Sequence, residues 1–290
     1  MEPVPVKNAL TFDVEEYFHA EVFAGVVRPE EWPTMESRVV AVTERLLDIL
    51  DYAGARATFF VLGWVADRHR GLVQEIDARG HEVACHGYAH RMIHRLRPAE
   101  FLEDVSRAKG ALEDATGRAV LGYRAPTFSV TRDTLWSLDV LCEAGFRYDS
   151  SIYPIVHDRY GIPDAPRFPH RSRTPSGAEI TEFPMSTVEL MGWRVPVAGG
   201  GYFRLAPYAL TRAAIRRLNR RENRPAIVYL HPWEMDPVQP RLPVGPLARL
   251  RHSVSIENTE DKLRRMLAEF DFAPAAEVLA EVGLLPSETR

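Results

Sequence analysis

The stretch ATFFVLGWVADRHRGLVQEIDARGHEVACHG, residues 57–87, decides the fold. It opens on an apolar, β-rich run that Gly63 stops. It reads as a helix over 65–79, closed by Gly80, and returns to a short strand at HEVACHG. Strand, helix and strand within about 30 residues form a βαβ unit, which implies parallel pairing through a crossover. The same order extends outward. Upstream, VKNALTFDV reads as a buried strand ending at Asp13. Residues 37–52 place Val39, Val42, Leu46, Leu47, Ile49 and Leu50 on one helical stripe ahead of Gly54. Downstream come a helix over 98–117 opening on Pro98, a strand in AVLGYRAP, a helix over 131–144 with Thr131 as N-cap, and a short strand in GFRYDSS. Such alternation builds α/β architecture on a parallel sheet.

Between Tyr153 and Gly201 the pattern changes, with seven prolines and the run Gly199-Gly200-Gly201. Turns and edge strands are expected there, with short strands near ITEFPM and WRVPV. Regular pattern resumes as a helix over 206–220, a strand over 226–230 and a helix over 259–269. Of two small domains or one elaborated barrel, the second fits better. Residues 1–290 are therefore expected to form one domain, with 151–205 an insertion and 235–290 a C-terminal extension.

Composition narrows the function classes. The 290 residues carry 36 Lys+Arg against 40 Asp+Glu, a net charge of −4, with 46% hydrophobic side chains. That much apolar surface excludes a disordered chain, and the missing basic excess removes the electrostatic case for nucleic acid. No apolar run approaches the roughly 18–20 residues of a membrane span. The start, MEPVPVKNALTFDVEE, shows no basic leader with an apolar core, so no secretory signal is expected. Cys85 and Cys142 cannot form a disulfide framework, and a reduced intracellular chain is the simpler expectation.

In an α/β barrel, functional side chains stand where strands end. The predicted strand ends carry Asp13, Glu15, His86, Arg124, Asp149 and His231. His86 and His90 are four apart and can reach one metal ion if the segment turns helically. Asp13 and Glu15 are two apart, so on an extended strand they face the same way. One of them can bind a metal while the other acts as a base, and spacing alone does not say which. Two histidines and one carboxylate leave coordination positions open for water and substrate. Cys85 alternates to the opposite face from His86 and reads as a small buried hydrophobe.

The motifs TFDVEE, HGYAH, GYRAP, YDSS and YLHPWE, in this order from Leu10 to Trp233, resemble those of the NodB-type polysaccharide deacetylases, carbohydrate esterase family 4. The branch accompanying bacterial exopolysaccharide and exosortase gene clusters is the most similar, and GGGYFRLAPY resembles that branch's C-terminal extension. The resemblance implies a distorted (β/α)₇ barrel and a metal-dependent hydrolase that removes acetyl groups from N-acetylated sugars. Asp13 then matches the general base. Val14 stands where the family has a metal-binding aspartate, and related branches suggest that Glu15 takes over that role. His86 and His90 match the histidine ligands, and Arg124 the arginine that positions the base. His231 matches the general acid, with Asp149 the carboxylate expected to orient it. Tyr148 and Trp233 are expected substrate-groove residues. The implied cofactor is a divalent ion, zinc first, with cobalt, nickel and iron compatible. An allantoinase-like amidohydrolase on the same barrel and a non-catalytic carbohydrate binder are the alternatives. The expected partner is an N-acetylated carbohydrate, a polysaccharide or its lipid-linked precursor, with oligomeric state left open. A leaderless enzyme of this kind is expected in the cytoplasm, peripheral at the inner face of the membrane. Residues 210–224, with six arginines, form a locally basic helix face that could meet anionic lipid.

Overall fold

The computed structural model describes residues 6–197, 199–246 and 252–287. Residue 198 of the expected insertion, and 247–251 and 288–290 of the expected extension, lie outside the described residues.

Every residue of β1 (Asn8–Val14) is buried, because the strand is paired in parallel on both sides and covered on both faces. After it, α1 (Val39–Ala53) ends at Gly54, whose φ of 62° is the left-handed cap that glycine takes without strain. β2 (Thr58–Val61), α2 (Gly63–Arg68), α3 (Arg70–Ala78) and β3 (Glu82–Cys85) follow. The single helix expected over 65–79 is thus two helices broken at His69, where φ and ψ are −130° and 49°.

Next come α4 (Pro98–Thr116), β4 (Gly122–Tyr123), α5 (Ser137–Glu143) and β5 (Tyr148–Asp149). The Pro/Gly-rich stretch carries β6 (His170–Arg173), β7 (Glu179–Glu182), β8 (Thr187–Leu190) and β9 (Trp193–Pro196). The chain continues through α6 (Gly200–Leu205), α7 (Tyr208–Arg220), β10 (Ile227–Leu230), α8 (Thr259–Glu269), β11 (Phe272–Ala273) and α9 (Ala275–Glu281).

The main sheet runs β10-β1-β2-β3-β4-β5-β7-β6, with β11 also on β1; only β6 is antiparallel. It is a mixed α/β fold whose parallel sheet curls into a half-barrel, and β8 and β9 form a separate hairpin. Strand alternation sorts the apolar side chains into two layers. Phe12, Phe59 and Val61 pack outward with Leu46, Leu72 and Leu112 of the helices. Phe60, Phe128, Tyr148, Phe183 and Tyr229 fill the inside of the curl. Strand C-terminal ends converge at one rim, and the candidate site sits there.

Candidate active site

Asp13 and Glu15 leave β1 on its inner side, while the buried Val14 packs into the outer core between them. Alternation therefore gives the valine no path to the site, and Glu15 is the next side chain that has one. Asp13 Oδ1 accepts a hydrogen bond from Arg124 Nη1 at 2.7 Å. Arg124 is fully buried, and three further donors go to Thr11 Oγ1, Ser150 O and Ser150 Oγ, with its guanidinium 4.1 Å above the Phe60 ring. A planar fork held in this way fixes the Asp13 carboxylate and leaves Oδ2 turned toward His231, whose Nε2 lies 3.9 Å away.

Glu15 is held from one side and open on the other. Its Oε1 accepts Trp233 Nε1–H at 3.0 Å. Its Oε2 lies 2.8 Å from His90 Nε2 but has no hydrogen-bond partner despite complete burial. One ligand atom each from Glu15, His86 and His90 lies within 4.8 Å of the others. His86 Nδ1 is 2.9 Å from the Arg124 carbonyl. A carbonyl only accepts, so Nδ1 carries the proton and Nε2 presents a lone pair, the arrangement usual for a metal-binding histidine. His90 adopts φ 51°, a left-handed backbone that bends HGYAH back on itself and turns both rings to one point. Burial holds the His86 imidazole down to about 4, so it stays neutral at pH 7. Burial works against the Glu15 carboxylate, but His90 overrides it and keeps Glu15 ionised well below the usual range. A buried anion with an orphaned oxygen, facing two imidazoles, is a donor set that fits a divalent cation.

His231 follows β10. Its Nδ1 is 3.0 Å from Glu234 Oε2, which also accepts the His231 backbone N–H at 2.9 Å. Glu234 Oε1 in turn accepts Arg204 Nε at 2.6 Å. Arg204, from α6, spans to the carbonyls of His252 and Val254. Burial opposes a charged His231, but the Glu234 hydrogen bond and charge outweigh it and raise the imidazole to about 9. Burial likewise opposes the Glu234 anion, yet Arg204 and His231 hold it down to about 2. Trp233 stacks between His231 and His252, at ring centroids of 4.9 and 4.4 Å.

Two expected residues are elsewhere. Asp149 does not meet His231: it is fully buried beside β7, accepts Ser151 Oγ at 2.5 Å, and sits in register with Glu182. Burial raises both carboxyls, and the Asp149 charge raises Glu182 further, so the pair holds on to a proton on the Glu182 side. Its link to the site is indirect, since Ser151 Oγ accepts the Ala125 N–H next to Arg124. Tyr148 is no groove residue. It is completely buried and crosses over Gly122 to donate its hydroxyl to Glu82 at 2.8 Å. A Cβ at position 122 would lie 2.1 Å from the Tyr148 ring. Trp233 does reach the site, as a largely buried donor to Glu15. Sequence reasoning missed Glu234 and Arg204. The HPWE spacing could have pointed to Glu234, since a carboxylate three residues after a capping position reaches back to it.

Comparison with known proteins bears on the family and the fold. Residues 9–148 match the polysaccharide deacetylase family. That segment, a little under half of the chain, is similar to the polysaccharide deacetylases. Residues 150–280 match a domain of unknown function, DUF3473, so Arg204, His231 and Glu234 of the site come from a segment with no assigned role. The chitooligosaccharide deacetylase of a Bradyrhizobium species is 32% identical over 99 residues, 34% of this chain and 43% of its own length. Such matches cover between 32% and 43% of the length of the first curated relatives. Among solved structures, a candidate polysaccharide deacetylase from Mycobacterium smegmatis superposes with a TM-score of 0.63 at 23% identity, covering 100% of this chain and 96% of its own. The allantoinase PuuE gives 0.62 at 14%, covering 98% and 92%. The two likenesses show a shared fold.

Proposed function

We propose that this protein is a metal-dependent hydrolase that removes acetyl groups from N-acetylated sugars. The observation that carries the reading is the convergence of three units on one rim: the Glu15–His86–His90 donor set, the Arg124-clamped Asp13, and His231 backed by Glu234. Its most informative relative is named for deacetylating chitooligosaccharides.

Glu15, His86 and His90 would hold a divalent ion, zinc first among the candidates and with cobalt, nickel or iron compatible. When bound, it supplies Lewis acidity toward the acetyl carbonyl and makes water a stronger acid. Asp13, oriented by Arg124, takes the proton as a water oxygen attacks the carbonyl carbon. His231, oriented through Nδ1 by Glu234, presents Nε2–H to the sugar nitrogen. That proton lets the C–N bond break with the electron pair leaving on nitrogen, giving acetate and a free amine. The Thr127 N–H, in a turn where Thr127 and Phe128 both have positive φ, is the backbone donor of this proposal for the oxyanion. Trp233 holds Glu15 and stacks on His231, so it positions both halves of the machinery.

The finer readings belong to the same proposal. The chain acts as one unit, supported by strands of the second half pairing with those of the first, β10 on β1 and β7 on β5. Its substrate is an exopolysaccharide or a lipid-linked precursor, handled at the inner face of the membrane. No helix among the described residues is long and apolar enough to cross a membrane.

The test is acetate release from N-acetylglucosamine oligomers, measured on purified protein, after chelation, and after restoring zinc. Release that disappears on chelation and returns with metal supports the reading. Absence of acetate with every acetylated glycan tried, together with hydrolysis of allantoin, would move the chain to the amidohydrolases.

A further inference from the structure

The hairpin of β8 and β9 is two-faced. Its cross-strand pairs are Val188 with Val195, Glu189 with Arg194, and Leu190 with Trp193, joined by a tight turn with Met191 and Gly192 at positive φ. Alternation puts Glu189 and Arg194 on one face and Val188, Leu190, Trp193 and Val195 on the other. The polar face is pinned to the protein: Arg194 donates to the carbonyls of Pro163 and Ala165, both at 2.6 Å. The apolar face is anchored in the core at Val188 and points away beyond it. Met191 is 100% exposed, Trp193 73% and Leu190 49%. A rigidly braced hairpin that presents methionine, tryptophan and leucine to water requires an explanation that scattered surface residues do not.

The surroundings of its root say what kind of surface it fits. Arg167 ties the hairpin to the end of α7, donating to the Thr187 carbonyl at 2.7 Å and to Glu222 at 2.9 Å. Arg167 and Arg217 thereby occupy Glu222, the acid of this corner. Arg220, Arg221 and Arg224 are exposed around it, and among the described residues Arg220 and Arg221 have no carboxylate partner. An apolar tip with an unneutralised arginine cluster behind it matches an anionic bilayer, where the side chains of the tip enter the acyl boundary and the guanidinium groups meet headgroup phosphates. A second copy of the chain fits less well. Symmetry would bring like-charged clusters toward each other, and four apolar side chains fall far short of the roughly 20 residues per side of a stable interface.

We propose that the β8–β9 hairpin and the C-terminal arginines of α7 form a docking surface for anionic membranes. This does not depend on the deacetylase reading. The Ile227 N–H donates to Ser186, one residue before β8, so the hairpin root stands at the end of β10 opposite His231. A bilayer at the tip leaves the catalytic rim turned to solution.

Flotation of the full chain with vesicles of phosphatidylcholine alone, and of phosphatidylcholine mixed with phosphatidylglycerol, tests the proposal. Binding is expected only with phosphatidylglycerol present and should weaken with salt. A Met191→Ser/Trp193→Ala variant should lose it. An Arg220→Ala/Arg221→Ala/Arg224→Ala variant should bind on the order of 100-fold more weakly, at about fivefold per arginine. Both variants should keep the wild-type melting temperature, since neither side-chain set is part of the core. No flotation with phosphatidylglycerol, or flotation that neither variant changes, would overturn the proposal. So would sedimentation equilibrium showing a dimer that Trp193→Ala dissolves, which would assign the face to a second copy.

Discussion

Glu234 is the residue whose placement most bears on the proposed chemistry, because its hydrogen bond and charge raise His231, the proposed acid. The carboxylate sits on the same turn as the imidazole and is itself anchored by Arg204, so the histidine tautomer and the ring direction are fixed together. Glu234→Gln keeps the shape but removes the charge that raises His231. Turnover should fall by about 10- to 100-fold, the range for losing an outer-shell partner. As the proposed acid, His231 would work in its protonated form, so activity should be lost as pH rises through its pKa. A pH–rate profile should therefore show the alkaline limb of the variant moved to lower pH, with metal content unchanged. An unmoved limb would separate Glu234 from the acid. The identity of this partner was only half legible. Asp13, Glu15, His86, His90, Arg124 and His231 stand at strand ends or next to them, and alternation with spacing brings them together. Which carboxylate faces His231 depends on side-chain packing. Asp149 has the right chemistry and ends a strand, but β5 aims it at Glu182.

Among the elements, the crowded inside of the curl sets the tolerances. β4 and β5 are two residues each, too short to leave a clear periodic signal, and the sequence places them by their neighbours. Gly122 lets Tyr148 lie across β4 and reach Glu82, which also accepts the N-terminal Ala276 N–H of α9. Gly122→Ala should displace the Tyr148 ring and break that tie across the base of the sheet. Overpacking of this kind costs about 1–3 kcal/mol, to be read as a lower urea midpoint with unchanged slope. Equal stability would mean that the ring has room the structure does not show. The Pro/Gly-rich stretch was less legible than the βαβ half. Its prolines announce turns but not that β7 joins the main sheet while β8 and β9 leave it, since strand partnership is decided by long-range packing.

For the whole molecule, the site exists because the first strand and the tenth are neighbours. Asp13 and Glu15 stand at and just past the end of β1, His231 just past β10, and their parallel register, Phe12 opposite Leu230, sets the proposed base, ligand and acid side by side. The same register brings the DUF3473 segment to this rim, where in the proposed mechanism it supplies the acid, its carboxylate and the guanidinium behind them. In the proposed mechanism Asp13, clamped by Arg124, is the base and Glu15 the metal-holding carboxylate, roles the sequence leaves exchangeable. Metal content and acetate release, measured together on Asp13→Asn and Glu15→Ala, test this most directly. Asp13→Asn should retain the metal of the wild type and lose turnover by about 10²–10⁴-fold, while Glu15→Ala should lose metal and turnover together. An Asp13→Asn protein without metal, beside a Glu15→Ala protein that keeps it, would contradict the account.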